Sequence, residues 1–401
     1  MIKTITKLVS GALLLTVLGL LSGIIAARYL DPDARGLLAS ILLIPTLISG
    51  FITLGTNYSA TFEISKNKDT ASTSFWIVIL TSLLCSIFAI VVYLIYFKIK
   101  DLDVNNENIW LHLSFLVIYL FAVSILGASH AVFLGISDFK NFNAVKIMPA
   151  VMYLFSVCSL ILKANVDTVI FIYSILMILI VIPYTLHTVI PNLQGVRNLN
   201  RIVFQGYLRH GLLAFLPNIP LQLSSKLDQL AILYVLNNNK LGIYVVACSF
   251  GQVVYGLNSV IGNIYLSNQA VAFDNSSIIK LLKNLMVVNI LILFIYSYFS
   301  EVIIHLLFGN QYVSGATISI VLLAASMLNG MTYILYDSFR GRGFLRYPII
   351  GELMQLGIKL FLIFLVIQLT IVVEFYISLA VLLSSFVVFI YSLFILKSNK
   401  F

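Results

Sequence analysis

The sequence predicts an all-α polytopic membrane protein with about 12 transmembrane helices in two six-helix lobes that are related by a parallel pseudo-repeat. Three observations support this fold class. Hydrophobic residues make up 61% of the 401 residues and charged residues only 10%. Apolar runs of about 20 residues recur from end to end, and each is long enough to cross a hydrocarbon core of about 30 Å. The two halves of the chain also resemble each other in sequence.

Twelve apolar spans follow one another along the chain, joined by loops too short to form a separate domain. They lie near residues 8–30, 37–60, 75–97, 109–135, 147–163, 168–190, 211–236, 241–266, 281–300, 314–339, 346–368 and 372–396. The first span follows Lys3 and Lys7, as the core of a signal peptide does, but its apolar run is too long for one. We therefore expect an uncleaved helix, and lobes at 1–196 and 197–401.

The formal net charge of +9 could indicate a nucleic-acid partner, but the basic residues are scattered over short loops, so we expect none. If the N-terminus is cytoplasmic, 16 of the 24 Lys and Arg residues lie on the inside, six outside and two within spans. This bias predicts that both termini are cytoplasmic. The three cysteines lie inside spans without metal or redox spacing, as apolar fillers do.

An internal repeat appears when the sequence is shifted by 206 residues, which places spans one to six on spans seven to twelve without gaps. Identical residues then coincide at corresponding turns and helices: Gly36 with Gly242, Gly50 with Gly256, Gly135 with Gly341, Asn57 with Asn263, Phe133 with Phe339 and Met148 with Met354. Halves with an even number of spans share one orientation, an arrangement found in transporters that rock around a central site.

Two charges, Lys226 and Asp228, lie deep inside the seventh span. A charge at the centre of a membrane helix costs about 2.5–3.5 kcal/mol on insertion scales, so such residues usually mark a function. Residues two apart point to different sides of a helix and cannot simply neutralise each other. Pro217 and Pro220 precede them and predict a break in the helix. Both could form structural ion pairs with neighbouring helices, and the spacing alone leaves open which of them faces a cavity between the halves. We favour Lys226 for the cavity, and expect Asp228 to handle an ion or to form a structural pair.

Four further residues are candidates for the same cavity. Lys359 lies in the middle of span eleven, although its long stem could also snorkel to the interface. Arg28, at the outer end of span one, could equally be an interfacial anchor. Asn57 and Asn263 are polar at matching positions of the repeat. We expect Glu352, near the cytoplasmic face, to be a helix-end charge.

The sequence contains no nucleophile elbow, phosphate loop or paired metal motif, and the five histidines have no metal-ligand spacing. We therefore expect no catalytic residue, no metal and no cofactor, with a proton or a sodium ion as the candidate coupling ion. A transporter is favoured over an enzyme.

Several stretches resemble a known family. ARYLDPDARGLLA (27–39), SKLDQLAILYVLNNNKLGIYVVA (225–247), LLFGNQYVSGA (306–316) and SFRGRGFLR (338–346) resemble Wzx-type polysaccharide flippases of the multidrug/oligosaccharidyl-lipid/polysaccharide (MOP) exporter superfamily. In that family arginine is more common at the position of Lys226, and a lysine binds phosphate as a point charge rather than through a bidentate fork. The resemblance implies a MATE-like exporter fold.

The resemblance also implies a cargo, which is a polyprenyl-pyrophosphate-linked oligosaccharide moved from the inner to the outer leaflet for surface polysaccharide such as O-antigen or lipopolysaccharide. Lys226, Lys359 and Arg28 would offset the desolvation of its phosphates. We expect a monomer in the cytoplasmic (inner) membrane, with membrane lipids, a polysaccharide polymerase and chain-length machinery as candidate partners. Two alternatives remain: a multidrug or small-molecule ion-coupled antiporter of the same fold, and a membrane polysaccharide polymerase or acyltransferase.

Overall fold

The computed structural model describes the chain except for residues 1, 100–106, 196–199, 217, 270–274, 370–372 and 399–401. Within the described helices, the side chains of 2–10, 92, 94–99, 107–109, 259–260 and 263–269 are also not described. Pro217 therefore lies outside the described residues.

Fourteen α-helices account for most of the described residues, among which there is no β-strand. They are α1 (Ile2–Tyr29), α2 (Pro32–Ser49), α3 (Thr56–Lys66), α4 (Ala71–Ile99), α5 (Glu107–Gly135), α6 (Phe139–Cys158), α7 (Val166–Tyr184), α8 (Arg201–Phe215), α9 (Asn218–Val235), α10 (Asn238–Gln269), α11 (Asn275–Phe308), α12 (Ala316–Gly341), α13 (Arg346–Leu369) and α14 (Val373–Lys397). Within the described residues, eleven stretches are long and apolar enough to cross a membrane. The predicted all-α polytopic fold class is confirmed.

Two of the expected spans are broken. The span near 211–236 is divided between α8 and α9, as the two prolines predicted, and α9 is not among the eleven apolar stretches. The span expected as one helix near 37–60 is instead α2 and α3, separated by a turn at 50–55. That prediction of a continuous helix is wrong, because Gly55 has φ +77° and a Cβ there would lie 2.1 Å from the carbonyl oxygen of Gly211. This close approach requires glycine.

The described residues group into two compact units. Unit 1 comprises Met1–Gly11 and Ile41–Ile219, and unit 2 comprises Ala12–Ser40 and Pro220–Phe401. In unit 1, α5 packs against α3, α4, α6 and α7. Its helix α3 is also bound to α8 by a hydrogen bond from Ser59 Oγ to the carbonyl of Tyr207 (2.9 Å). In unit 2, α12 is the central helix and packs against α10, α11, α13 and α14.

Helix boundaries follow the 206-residue repeat. Helices α2 and α10 begin at Pro32 and Asn238, which are 206 positions apart. Helices α5 and α12 end at Gly135 and Gly341, again 206 positions apart. The halves differ where the helices break: the second helix is interrupted in the first half, and the first helix in the second half.

Glycines matched by the repeat also lie directly against each other inside unit 2. A Cβ on Gly36 would lie 1.7 Å from the carbonyl oxygen of Asn238, and a Cβ on Gly242 would lie 2.1 Å from that of Pro32. Each helix thus presents its glycine to the first residue of the other helix. A twofold relation between α2 and α10 requires this reciprocity.

A hydrogen bond spans the same contact between equivalent residues. Asn239 Nδ2 donates to Asp33 Oδ2 (3.0 Å), and these residues too are 206 positions apart. The beginnings of α2 and α10 are therefore held together by a glycine contact and a polar pair, both related by the repeat.

Substitution of Gly36 by alanine tests this contact. The added methyl group would overlap a backbone carbonyl, which no side-chain rotation can relieve, so we expect a loss of about 1–3 kcal/mol in the free energy of unfolding. Gly19→Ala is the matched control, because a Cβ at Gly19 meets nothing within 4 Å. Thermal unfolding of the purified protein in detergent measures both variants. Equal stability of the two would contradict the close packing.

Candidate functional site

A polar cavity of about 410 Å³ lies within unit 2, among α9, α10, α12 and α13. Fourteen of its fifteen lining residues carry a polar group on the side chain, although the helices that supply them are largely apolar. The lining consists of Leu221, Gln222, Ser224, Ser225, Lys226, Gln252, Tyr255, Ser326, Asn329, Thr332, Tyr333, Tyr336, Glu352, Gln355 and Lys359. Polar groups at membrane depth are tolerated where they face such a cavity.

Helical spacing explains how α13 supplies part of this lining. Glu352, Gln355 and Lys359 follow one another at intervals of three and four residues, so they share one face of the helix. All three are buried. The outward face carries Leu360, Phe361 and other exposed apolar residues, as a lipid-facing surface does.

The central helix α12 supplies a second stripe. Ser326, Asn329, Tyr333 and Tyr336 recur at intervals of three and four residues and all line the cavity. Polar faces of helices that are otherwise apolar thus converge on one volume.

Lys226 and Lys359, the two lysines predicted within spans, line this same cavity. Lys359 is 4% exposed, and its ammonium donates to the carbonyl oxygen of Ser224 (2.7 Å). Lys226 is half-buried, and its Nζ lies 3.4 Å from Oε1 of Gln229. Among the described residues neither lysine forms a salt bridge, so both positive charges remain uncompensated by a contacting carboxylate.

The alternative in which Lys359 snorkels to the interface does not fit its position. Its side chain is buried and crosses to α9 instead of extending along α13 towards a helix end. The hydrogen bond joins α13 to α9 two residues before Lys226. Lys359 therefore contributes charge to the cavity and also connects the two helices that carry its lysines.

Asp228 lies next to the cavity but is not among the residues that line it. Its side chain is 6% exposed, and Oδ2 accepts a hydrogen bond from the hydroxyl of Tyr244 on α10 (2.7 Å). Oδ1 has no hydrogen-bond partner in the described part of the chain. The carboxylate thus joins α9 to α10, and Lys226 and Asp228 use different sides of α9, as their spacing predicted.

Arg28 contacts the end of another helix in unit 2. Its Nε donates to the carbonyl oxygen of Leu307 (2.8 Å), and its Nη2 donates to that of Leu306. Both carbonyls belong to the last turn of α11, where backbone acceptors have no partner within the helix. Arg28 is not among the residues that line the cavity and acts as a C-terminal cap.

Of the two predicted asparagines, the structure describes the side chain of Asn57 only, and Asn57 does not line the cavity. Asn57 lies in the first turn of α3 in unit 1, where its Oδ1 accepts a hydrogen bond from Thr53 Oγ1 (3.2 Å). Asn263 lies in α10, and its side chain is outside the described residues. Of the five predicted site residues whose side chains are described, the cavity lining contains Lys226 and Lys359.

Gln222, Ser224 and Ser225, next to Lys226, were expected to form a polar wall and do line the cavity. Sequence reasoning missed the polar lining that α10, α12 and α13 supply besides Lys359, above all Glu352. The expectation of a helix-end charge was wrong, since Glu352 is 4% exposed and faces the cavity. Gln355 was also missed, although its Nε2 donates to Asn329 Oδ1 (2.8 Å) and so connects α13 to α12. The polar residues at three- and four-residue intervals on α12 and α13 could have predicted this lining, because such spacing within an apolar span indicates a buried polar face.

This arrangement suits an anionic ligand that carries hydroxyl groups. Ammonium groups bind phosphate through charge-assisted hydrogen bonds, and carboxamides and hydroxyls both donate and accept. No group of three or more potential metal ligands is found among the residues that were described.

Solved structures of membrane transporters have the same fold. An inward-facing multidrug resistance MATE family transporter of the MOP superfamily aligns with a TM-score of 0.73 at 12% identity, over 96% of each chain. The lipid II flippase MurJ, in an inward closed conformation, aligns with a TM-score of 0.76 at 15% identity, over 97% of this chain and 87% of its own. A MOP superfamily transporter from Pyrococcus furiosus aligns with a TM-score of 0.61 at 12% identity, over 100% of this chain and 96% of its own.

At these identities the likeness establishes the fold. No curated protein matches the sequence at a significant level. Residues 25–317, which are most of the chain, match the family described as "Polysaccharide biosynthesis protein". With its MATE-like and MurJ-like fold, the chain therefore belongs to the polysaccharide biosynthesis protein family.

Proposed function

We propose that the protein is a flippase that moves polyprenyl-pyrophosphate-linked oligosaccharide units from the inner to the outer leaflet of the cytoplasmic membrane by alternating access. The main support for the proposal is that two lysines, neither in contact with a described carboxylate, line a polar cavity among the helices of a chain from a polysaccharide biosynthesis family. The fold, shared with exporters and with a lipid flippase, supports transport rather than a chemical reaction.

The physical difficulty in this transport is the headgroup. A pyrophosphate with attached sugars is too costly to desolvate in hydrocarbon, and positive charges in a cavity offset that cost. The polyprenyl tail stays in the bilayer. An inside-negative membrane potential favours outward movement of an anion by about 2.3 kcal/mol per charge for each 100 mV. This energy is available if the protein's own lysines do not cross with the cargo.

Lys226 is the residue that we assign to the phosphates. It lines the cavity and is only half-buried, whereas Lys359 already uses one donor on the carbonyl of Ser224. Lys359 adds charge and holds α9 in place. We assign Arg28 to capping α11 and Asp228 to holding α9 against α10, on the strength of their hydrogen bonds. Coupling to a proton or to sodium is not needed for this scheme.

A multidrug antiporter of the same fold is the principal competitor. Cationic drugs would be repelled by a cavity that contains two lysines and one carboxylate. A polymerase or acyltransferase would need a catalytic constellation, for which the sequence offers no motif. We further propose that the protein works as a monomer. We also propose that both termini lie in the cytoplasm, because most basic loop residues then lie inside.

Replacing Lys226 by alanine tests the assignment directly. Loss of a charge-assisted contact worth about 1.5–3 kcal/mol lowers the transport rate by about 10- to 100-fold. Lys226→Arg keeps the charge and should retain most of the activity. The measurement is leaflet-resolved: proteoliposomes receive a lipid-linked oligosaccharide, and an external glycosidase reports how much of it becomes accessible.

Lys283→Ala is the matched control, because Lys283 is an exposed lysine of the same unit. It should transport at the wild-type rate. If Lys226→Ala also transported at that rate, the assignment of Lys226 would be wrong. If the wild-type protein failed to transfer any lipid-linked oligosaccharide but exported a drug, the antiporter would replace the flippase.

The structural assignment of Asp228 predicts coupling with Tyr244. Asp228→Ala and Tyr244→Phe each leave a buried polar group without its partner, which costs about 1–3 kcal/mol of stability. Because both changes remove the same hydrogen bond, the double variant should lose less than the sum of the two single losses. Thermal unfolding of the four proteins measures this. Strict additivity would contradict a shared hydrogen bond. If Asp228→Ala transported at the wild-type rate but no longer depended on a proton or sodium gradient, Asp228 would be assigned to ion coupling instead.

A further inference from the structure

The cavity of unit 2 has charges of opposite sign at separate places. Glu352 and Lys359 lie on the same face of α13, seven residues apart, which is about 10 Å along a helix. They form no salt bridge with each other in the described part of the chain. Lys226 lies near the Lys359 end, because Lys359 is bonded to the carbonyl of Ser224. The cavity therefore has a cationic end and an acidic end.

The acidic end is a buried carboxylate with unused hydrogen-bonding capacity. Glu352 is 4% exposed, and its Oε2 accepts no hydrogen bond from any described residue. The neighbouring guanidinium of Arg340 is bound to Asp337 (Nη1 to Oδ1, 3.1 Å). A buried acceptor without a donor is costly, so this oxygen is suited to a ligand that brings hydroxyl or amide hydrogens.

The rest of the lining is rich in groups that both donate and accept. Four carboxamides, on Gln222, Gln252, Asn329 and Gln355, face the same volume as the phenols of Tyr255 and Tyr333. The rings of Tyr255 and Tyr333 pack edge to face with centroids 6.0 Å apart and add apolar surface. A sugar ring offers the complementary set: hydroxyl groups around its edge and C–H groups on its faces.

The size of the cavity limits how much of a cargo it holds. About 410 Å³ lies in the lower part of the range of roughly 300–1,000 Å³ that is usual for small-molecule sites. This is room for one sugar with its phosphate, not for an oligosaccharide. The rest of the cargo lies outside this cavity.

We propose that the cavity is a subsite for one sugar phosphate unit, with the phosphate at Lys226 and Lys359 and the sugar hydroxyls at Glu352. Because a second carboxylate beside Glu352 would be repelled, the subsite accepts neutral or N-acetylated sugars and rejects uronic acids. This inference rests on the proposed flippase function and adds to it a rule for the sugar next to the phosphate.

Soluble sugar phosphates test the subsite on the purified full-length protein in nanodiscs, by calorimetric titration. The probes are the 1-phosphates of glucose, galactose and N-acetylglucosamine, the 1-phosphate of glucuronic acid, and inorganic phosphate. We expect at least one neutral sugar phosphate to bind about tenfold more tightly than inorganic phosphate and than glucuronic acid 1-phosphate. Lys226→Ala should weaken the binding of all probes.

Glu352→Gln removes the charge and keeps the shape. It should reduce the preference for the neutral sugar over glucuronic acid 1-phosphate by about tenfold. Glu301→Gln, at an exposed glutamate of α11, is the matched control and should leave the preference unchanged. If Glu352→Gln does not fold, the affinities of the wild-type protein for the different probes still test the subsite.

Three results would overturn the subsite: inorganic phosphate binding as tightly as every neutral sugar phosphate, glucuronic acid 1-phosphate binding as tightly as they do, or Glu352→Gln keeping the full preference. None of these results concerns the flippase itself, which the leaflet-resolved assay of Lys226→Ala decides independently. A protein that flips lipid-linked oligosaccharide but does not distinguish these probes would retain the proposed function and lose the sugar rule.

Discussion

A bilayer offers no hydrogen-bond partners to the groups inside it, and this constraint determines where the charged residues of the protein can lie. Lys359 finds a partner within the protein, because its ammonium donates a hydrogen bond to the carbonyl of Ser224 on another helix. Asp228 accepts a hydrogen bond from the hydroxyl of Tyr244. Lys226 and Glu352 are satisfied only in part by the protein. Partly satisfied groups that share one cavity are the ones available to a ligand.

The internal repeat relates helices of the two halves, and a helix break that departs from the repeat lies next to polar residues of the cavity. Helices α2 and α10 begin at equivalent residues and meet through Gly36 and Gly242. The first helix of the second half is broken where that of the first half is continuous. The broken helix carries Lys226. Helix α9 begins at Asn218, two residues before Pro220, and the carbonyl of its Ser224 accepts a hydrogen bond from Lys359 of α13.

The sequence predicted features that depend on one helix and missed those that depend on two. Lys226 and Lys359 could be found because a charge in an apolar span is visible locally. The break at Gly55 could not, since it depends on contact with Gly211, 156 positions away. Glu352 was assigned to a helix end because its span was considered alone, whereas its burial depends on α12. A search for polar residues at helical spacing would have found the polar faces of these helices. It would not have shown which helices pack together around the cavity.

The central claim is that the cargo enters the cavity of unit 2. Ser225→Cys tests it, because Ser225 lines the cavity and is exposed. The variant is made in a chain whose native cysteines (Cys85, Cys158 and Cys248) are replaced, and it is labelled with a water-soluble maleimide. We predict that lipid-linked oligosaccharide slows this labelling severalfold and leaves the labelling of Ser65→Cys, an exposed position at the end of α3, unchanged. Equal labelling of Ser225→Cys with and without the cargo would contradict the account.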